Sequence, residues 1–256
     1  MILELEHASF AYHKGTNVFH DVNLSIKKGQ VLSILGTNGS GKSTLMKCIL
    51  GLLPLQEGTI KYNEQVVKKL DYHKVSYVPQ SHRIAFPLSV LDMVTLGRTP
   101  YISTFELPNE KDIAYAKKAI QTVGIEHLSQ RNCNELSGGE LQLVFIARAL
   151  TIQPECIIMD EPETGLDLAN QEKILDLIQK LSQLGVTIIF VTHDCNHALK
   201  VSNQTLLFCK NECIFGKSNE IICEKNLSKA FDIEMIALNS KVEDIEYQVL
   251  VPRKKD

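Results

Sequence analysis

The chain has 256 residues, 44% apolar and 22% charged, with 27 Lys and Arg against 30 Asp and Glu for a formal net charge of -3. That length suits one large domain or two small ones with a core of their own. The near balance of charge argues against a general polyanion binder, and the composition excludes wholesale disorder and collagen-like repeats.

Taken in chain order, Ile2–Phe10 and Val22–Ile26 alternate with period two around a polar turn, which predicts antiparallel strands with one covered face. Gln30–Leu35 reads as a buried strand that runs straight into a glycine-rich turn. Ser43–Leu50 has helical spacing and is stopped by Gly51 and Pro54. Residues from about Val90 to Ala149 are mostly helical and form a natural inserted subdomain. Cys156–Met159 and Val186–Val191 are two further central strands. Between them, Asn170–Leu184 puts Ile174, Leu177, Ile178 and Leu181 on one helical face and ends at Gly185. After Gly216, short alternating runs lead to a solvated end at Arg253-Lys-Lys255. Strands alternating with helices predict an α/β fold with a mainly parallel sheet.

A membrane-spanning helix needs about 20 consecutive apolar residues, and the longest runs here, such as Ile188–Val191, are strand-sized. The N-terminus has no basic leader followed by a long apolar stretch, so no secretory signal is expected. Seven scattered cysteines suit free thiols in a reducing cytosol. Cys209-x-x-x-Cys213 would be half of a zinc site, with no second pair nearby. His193 and His197 have the spacing of a metal pair, but a third ligand is missing.

Gly36-Thr-Asn-Gly-Ser-Gly-Lys-Ser-Thr44 matches the P-loop pattern G-x-x-x-x-G-K-[ST] between a strand and a helix. Its glycines, Gly36, Gly39 and Gly41, let successive N–H groups point at phosphate oxygens, and the helix N-terminus adds partial positive charge. Thr37, Asn38 and Ser40 complete the loop, Lys42 would neutralise the β- and γ-phosphates, and the Ser43 hydroxyl, just before Thr44, would bind Mg²⁺. Binding of a nucleoside triphosphate by these nine residues follows.

Cys156-Ile-Ile-Met-Asp-Glu-Pro162 delivers two adjacent carboxylates to a strand's C-terminal end, where ligands of open α/β sheets bind. Asp160 suits Mg²⁺, and Glu161 suits the attacking water. Neighbouring side chains on a straight strand face opposite ways, so Pro162 is expected to end the strand and permit the turn.

Leu136-Ser-Gly-Gly-Glu140 leads into a helix through Leu150, placing Ser137, Gly138 and Gly139 at its N-terminus. This is a second phosphate-type site. Lys42 already serves one γ-phosphate, so the second site is read as closing over ATP held by another subunit.

At this point the residues resemble a family, the nucleotide-binding subunits of ATP-binding-cassette transporters, over nearly the whole chain and with the motifs in the family's order. Tyr12 resembles the aromatic that stacks on adenine, and Gln80 the glutamine that touches Mg²⁺ and senses the membrane partner. Leu136–Glu140 resembles the signature motif, Asp167 in Gly165-Leu-Asp167 the loop crossing the dimer interface, and His193 the switch histidine near the γ-phosphate. Two positions depart from the commonest pattern: Glu140 stands where glutamine is usual, and Glu163 where threonine or serine is usual. The resemblance implies a P-loop NTPase core over 1–88 and 147–225, with an N-terminal antiparallel β subdomain. It also implies a helical subdomain over 89–146 and a C-terminal tail over 226–256.

It further implies ATP hydrolysis with Mg²⁺ by Lys42, Glu161 and His193, in a homodimer or a pair with another ATPase subunit. The expected partners are an integral membrane permease and an extracytoplasmic substrate-binding protein, at the cytoplasmic face of the membrane, with no nucleic acid. Leu96–Ile102, Gly139–Val144 and Leu166–Gln171 resemble segments of importers of iron-siderophore, haem and cobalamin. Molybdate or zinc import is the near alternative. A soluble cassette ATPase would usually insert long coiled coils, and a P-loop nucleoside kinase would lack both the signature and the switch histidine. The segment Val90–Tyr101 is expected to line the groove for a permease helix. Arg98, the only charge between Asp92 and Glu106, is expected to cap that helix's carbonyls.

Overall fold

The computed structural model describes residues 1–13, 16–80, 87–210, 212–242 and 245–253. The chain opens with β1 (Leu3–His13), β2 (Thr16–Ile26), β3 (Val31–Leu35), α1 (Lys42–Ile49), β4 (Glu57–Tyr62) and β5 (Gln65–Val66). There follow β6 (Val75–Val78), α2 (Val90–Thr95), α3 (Glu110–Val123), α4 (Gly138–Leu150), β7 (Cys156–Asp160), α5 (Leu168–Gln183) and β8 (Thr187–Thr192). The last third holds α6 (Cys195–Val201), β9 (Gln204–Phe208), β10 (Cys213–Lys217), α7 (Ser218–Ile221), α8 (Glu224–Phe231), β11 (Met235–Val242) and β12 (Ile245–Pro252). The chain packs as two units, Met1–Leu70 with Val191–Asp256, and Asp71–Phe190.

In the first unit β1 pairs antiparallel with both β2 and β4, in the order β2-β1-β4-β5. This is the hairpin expected from the alternation of Ile2–Phe10 with Val22–Ile26. A register shift between Leu5 and Ala8 surrounds His7, whose φ is 50°, so the strand bulges where the strict alternation breaks. β3 lies parallel to β9, with Leu32 opposite Gln204 and Leu35 opposite Leu207. All five β3 residues are buried, as the continuous apolar run predicts for a central parallel strand. The Ser33 and Thr205 hydroxyls satisfy one another there at 2.8 Å.

The C-terminal stretch, legible in sequence only as short alternating runs, folds onto this unit. α8 buries Leu227 and Ala230, and the β11–β12 hairpin adds Met235 and Leu250 to a cluster with Leu35, Ala198 and Leu207. Asn196 on α6 clamps the hairpin, accepting from Leu250 N at 2.8 Å and donating to Leu250 O at 3.1 Å. Arg253 is ion-paired with Glu234, while the expected Lys254-Lys255 end lies outside the described residues.

In the second unit β6 and β7 are parallel, Val75 opposite Cys156 and Val78 opposite Met159. α2, α3 and α4 supply the helical segment expected between Val90 and Ala149. α3 starts with a reciprocal cap between Asn109 and Asp112 and stops at Gly124 in the left-handed conformation. Residues 81–86, just after Gln80, lie outside the described residues, whereas Val90–Tyr101, the segment expected to line the permease groove, forms α2 and the turn after it.

Arg98 corrects the sequence reading. It is 7% exposed, so it cannot reach out to cap a partner helix. Its Nε donates to Asp112 Oδ1 at 3.0 Å and its Nη1 to Thr151 O at 3.0 Å. The guanidinium lies over the Tyr101 and Tyr115 rings, 4.1 and 4.3 Å from their centroids. Small apolar neighbours pointed to a role capping a partner's helix, but a buried arginine needs partners of its own, and Asp112 in the first turn of α3 and Thr151 O after α4 supply them. Among the described residues no helix is long and apolar enough to cross a membrane.

Candidate functional site

Tyr12, the loop Gly36–Thr44 and His193 fall in the first unit; Gln80, Leu136–Glu140, Asp160, Glu161 and Asp167 fall in the second.

The loop leaves β3 at Leu35 and enters α1 at Lys42, as its strand–turn–helix spacing predicts. At its tip the Ser40 N–H donates to Thr37 O at 3.3 Å, closing a turn in which Gly39 takes a left-handed φ of 77°. Gly41 is the α1 N-cap at φ 108°, and a Cβ there would stand 2.8 Å from Val18 Cγ1, so glycine is required on both counts. Among the described residues no side chain caps α1, and its first turn carries no acid. The positive dipole end of α1 is therefore not offset by an acid of its own first turn, which suits an anion. Lys42 is almost fully buried, with Nζ donating to the carbonyls of Gly36 and Thr37, both at 2.8 Å. The ammonium is thus held against the loop it would need in order to neutralise a polyphosphate. A cavity of about 690 Å³ opens beside the loop tip, where Asn38, Gly39 and Ser40 face Asn17, Phe208 and Lys210. Tyr12 shares a hydrogen bond with Thr44 at 3.2 Å and meets Phe10 edge-on; the residue is 57% exposed, which suits its ring to stack on a planar base.

In the second unit β7 ends at Asp160, and Glu161 takes a left-handed φ of 45°. That turn, followed by Pro162, changes the chain's direction straight after the two carboxylates. Asp160 accepts from the Tyr77 hydroxyl at 3.5 Å, and burial together with this carboxylate pushes the Tyr77 phenol up to about 12. Gln80 donates to Glu161 Oε2 at 3.4 Å, so two of the sequence-picked residues are brought together. Glu163 is buried at 2% exposure.

The signature segment is built as expected at a helix start. Ser137 is the α4 N-cap and forms a reciprocal capping box with Glu140. A Cβ on Gly139 would stand 2.4 Å from Asn170 Cγ, so only glycine lets α4 approach α5 this closely. Asn170 in turn is bound to Asp167, the α5 N-cap, through N to Oδ1 at 2.9 Å and Nδ2 to Oδ2 at 2.7 Å. These bonds hold the Asp167 carboxyl below its usual range. Asn170, not picked from the sequence as a site residue, is the tie between Asp167 and Gly139; its only signal was its place in Leu166–Gln171. His193 is exposed just past β8, ahead of Asp194, which caps α6 by accepting from the N–H groups of Asn196 and His197.

Comparison with known proteins bears on the same residues. The ABC transporter family matches residues 19–164. The chain is 35% identical over 254 residues, 99% of its length and 97% of the relative's, to the molybdate import ATP-binding protein MolC of Haemophilus influenzae. It is 33% identical over 245 residues, 93% of its length and 96% of the relative's, to a Helicobacter pylori protein named a probable iron chelatin transport ATP-binding protein. A solved structure described as a metal-chelate type ABC transporter in an inward-facing conformation superposes with a TM-score of 0.91 at 35% identity. That match covers 99% of this chain and 98% of the other.

Proposed function

Because this chain belongs to the ABC transporter family, as the ATP-hydrolysing, ATP-binding subunit of an importer, we propose that it energises import of a metal chelate of the iron-siderophore, haem or cobalamin type. The observation that carries the reading is the likeness, over nearly all of both chains, to a structure described as of metal-chelate type.

In this reading Tyr12 stacks on adenine, the Gly36–Thr44 amides and Lys42 cradle the phosphates, and His193 contacts the γ-phosphate. Glu161 takes the proton of the attacking water while Gln80, already within reach of it, helps to orient it. Ser43, Asp160 and Gln80 offer hydroxyl, carboxylate and amide oxygens, the hard donor set that Mg²⁺ takes. Bound there with the nucleotide, Mg²⁺ would offset charge on the β- and γ-oxygens.

Two copies, or this chain and another ATPase subunit, pack head to tail. Leu136–Glu140 of one then closes on the triphosphate of the other, with Asp167 at the interface. A permease docks on the second unit, where a cavity of about 170 Å³ is walled by Tyr72, Tyr77, Gly97, Pro100 and Arg148. The subunit thus works at the cytoplasmic face of the membrane, with an extracytoplasmic binding protein delivering the cargo.

Molybdate import is the second reading, favoured by the 35% identity to MolC. Uptake assays in a strain deleted for this gene separate them. Labelled iron-siderophore, haem or cobalamin uptake falls and molybdate uptake holds if the first is right; the reverse establishes the second.

A further inference from the structure

We propose that Glu140 is a built-in competitor for the anion site at the head of α4, and that ATP-driven closure must displace its carboxylate from Ser137 into the cavity behind. The inference rests on the reading above, in which Ser137 and Gly139 receive a triphosphate held by another copy.

Both donors of Ser137 end on one carboxylate oxygen: the backbone N–H and the hydroxyl each reach Glu140 Oε2 at 2.8 Å. The Glu140 N–H returns to Ser137 Oγ at 3.3 Å. These are groups that a phosphate at this helix N-terminus would use. The carboxylate is kept ionised: the Ser137 N–H and hydroxyl hold it below the usual range, and the charges of Arg131 and His127 add to this. A γ-phosphate therefore meets a like charge and a hydroxyl whose proton is already given away. A glutamine here would keep the shape of the capping box without the charge.

The backbone cannot yield instead. Gly139 is pressed on Asn170, and Asn170 is bound twice to Asp167. The Glu140 side chain has somewhere to go. It forms part of the wall of a cavity of about 360 Å³ on the α3–α5 side, where His127 and Lys173 also line the wall. Swung there, the carboxylate would exchange the Ser137 donors for the Lys173 ammonium and the His127 ring and leave the helix end to the phosphate. Glu140 is in this sense a positioning residue: it acts through Ser137 and sets how much ATP closure requires.

The test uses the whole chain in the Glu161→Gln background, where hydrolysis does not drain the ATP-bound state. Light scattering reads the ATP concentration at half-maximal dimer formation. Glu140→Gln should lower that concentration about tenfold, as removal of one like charge at close range implies, and should flatten its dependence on salt. Lys173→Gln should raise it in the Glu140 protein yet change nothing once Glu140→Gln is present, a coupling that a merely structural lysine would not give. An unchanged midpoint and salt slope in Glu140→Gln overturns the competitor while leaving the composite site standing. If no ATP-driven dimer forms with either residue at 140, the composite site falls and takes the competitor with it.

Discussion

The guanidinium of Arg98 and the carboxylate of Asp112 meet at 3.0 Å, with both side chains almost wholly out of water. The pair joins the turn Leu96–Tyr101 to the start of α3, and Thr151 O fastens the same guanidinium to the end of α4. Asp112→Ala should leave Arg98 buried without its only carboxylate partner among the described residues, at a cost of about 3 kcal/mol, near the lower end for a broken buried pair because Thr151 O and the two tyrosine rings remain. Urea unfolding of the two proteins measures it. A loss under about 0.5 kcal/mol would mean the pair contributes no more than a surface contact.

Acid should find the same pair. The Asn109 N–H first, and then Arg98, hold the Asp112 carboxyl below its usual range. A carboxyl depressed in the folded state contributes stability that is present above its unfolded value, about 3.9. That stability is lost as pH falls through the folded value. Unfolding midpoints taken downward from about pH 5 should therefore drop more steeply for wild type than for Asp112→Asn.

Glu161→Gln should keep ATP binding and lose turnover by about 10²–10⁴-fold, the usual contribution of a general base. Purified protein assayed for phosphate release, with nucleotide binding measured in parallel, reads both. Near-normal turnover would remove Glu161 from the proposed role.

Tyr12→Ala should weaken ATP binding about tenfold, within the 1–3 kcal/mol typical of a base stacked on an aromatic ring. Tyr12→Phe should recover nearly all of it, since the hydroxyl contact with Thr44 lies to one side of the ring face. Titration with a fluorescent ATP analogue decides. Equal losses in the two variants would assign the effect to the hydroxyl instead.

Thiol chemistry gives an independent check of the core. Burial pushes Cys48 and Cys195 up to about 11 and Cys156 up to about 12, so none offers a thiolate at neutral pH. A thiol-reactive dye should leave these three unmodified in the native protein and reach all seven cysteines in denaturant. Mass mapping that finds Cys156 modified before unfolding would contradict the packing of β7.

The parts legible in the sequence were those specified by neighbours in the chain. The P-loop needs glycines, a lysine and a hydroxyl at fixed offsets, and it sits between β3 and α1 as read. The same holds for the strand ending at Asp160 and for Ser137 at the head of α4. What the sequence hid depends on partners distant in the chain. Arg98 looked like a cap for a partner's helix because nothing nearby in sequence pairs with it, and its true partner is the cap of a later helix. α8 and the hairpin after it looked like a tail, because Leu227, Ala230 and Phe231, although at helical spacing, fill only eight residues, and their apolar face has meaning only against Leu35 and Leu207. The Ser137–Glu140 bonds were within sequence reach as a capping pattern, but which atoms would be engaged, and the cavity behind them, were not.

Glu161 is a non-glycine residue holding a left-handed backbone, a conformation that costs of the order of 1–3 kcal/mol when the surroundings enforce it. Evolution for heat resistance alone would therefore work against this position. Glu161→Gly relieves the strain, so a library sorted only on melting temperature should enrich glycine there and return hardier molecules that can no longer turn over ATP. A breeder of robust importers has to sort on transport in the same round as on survival.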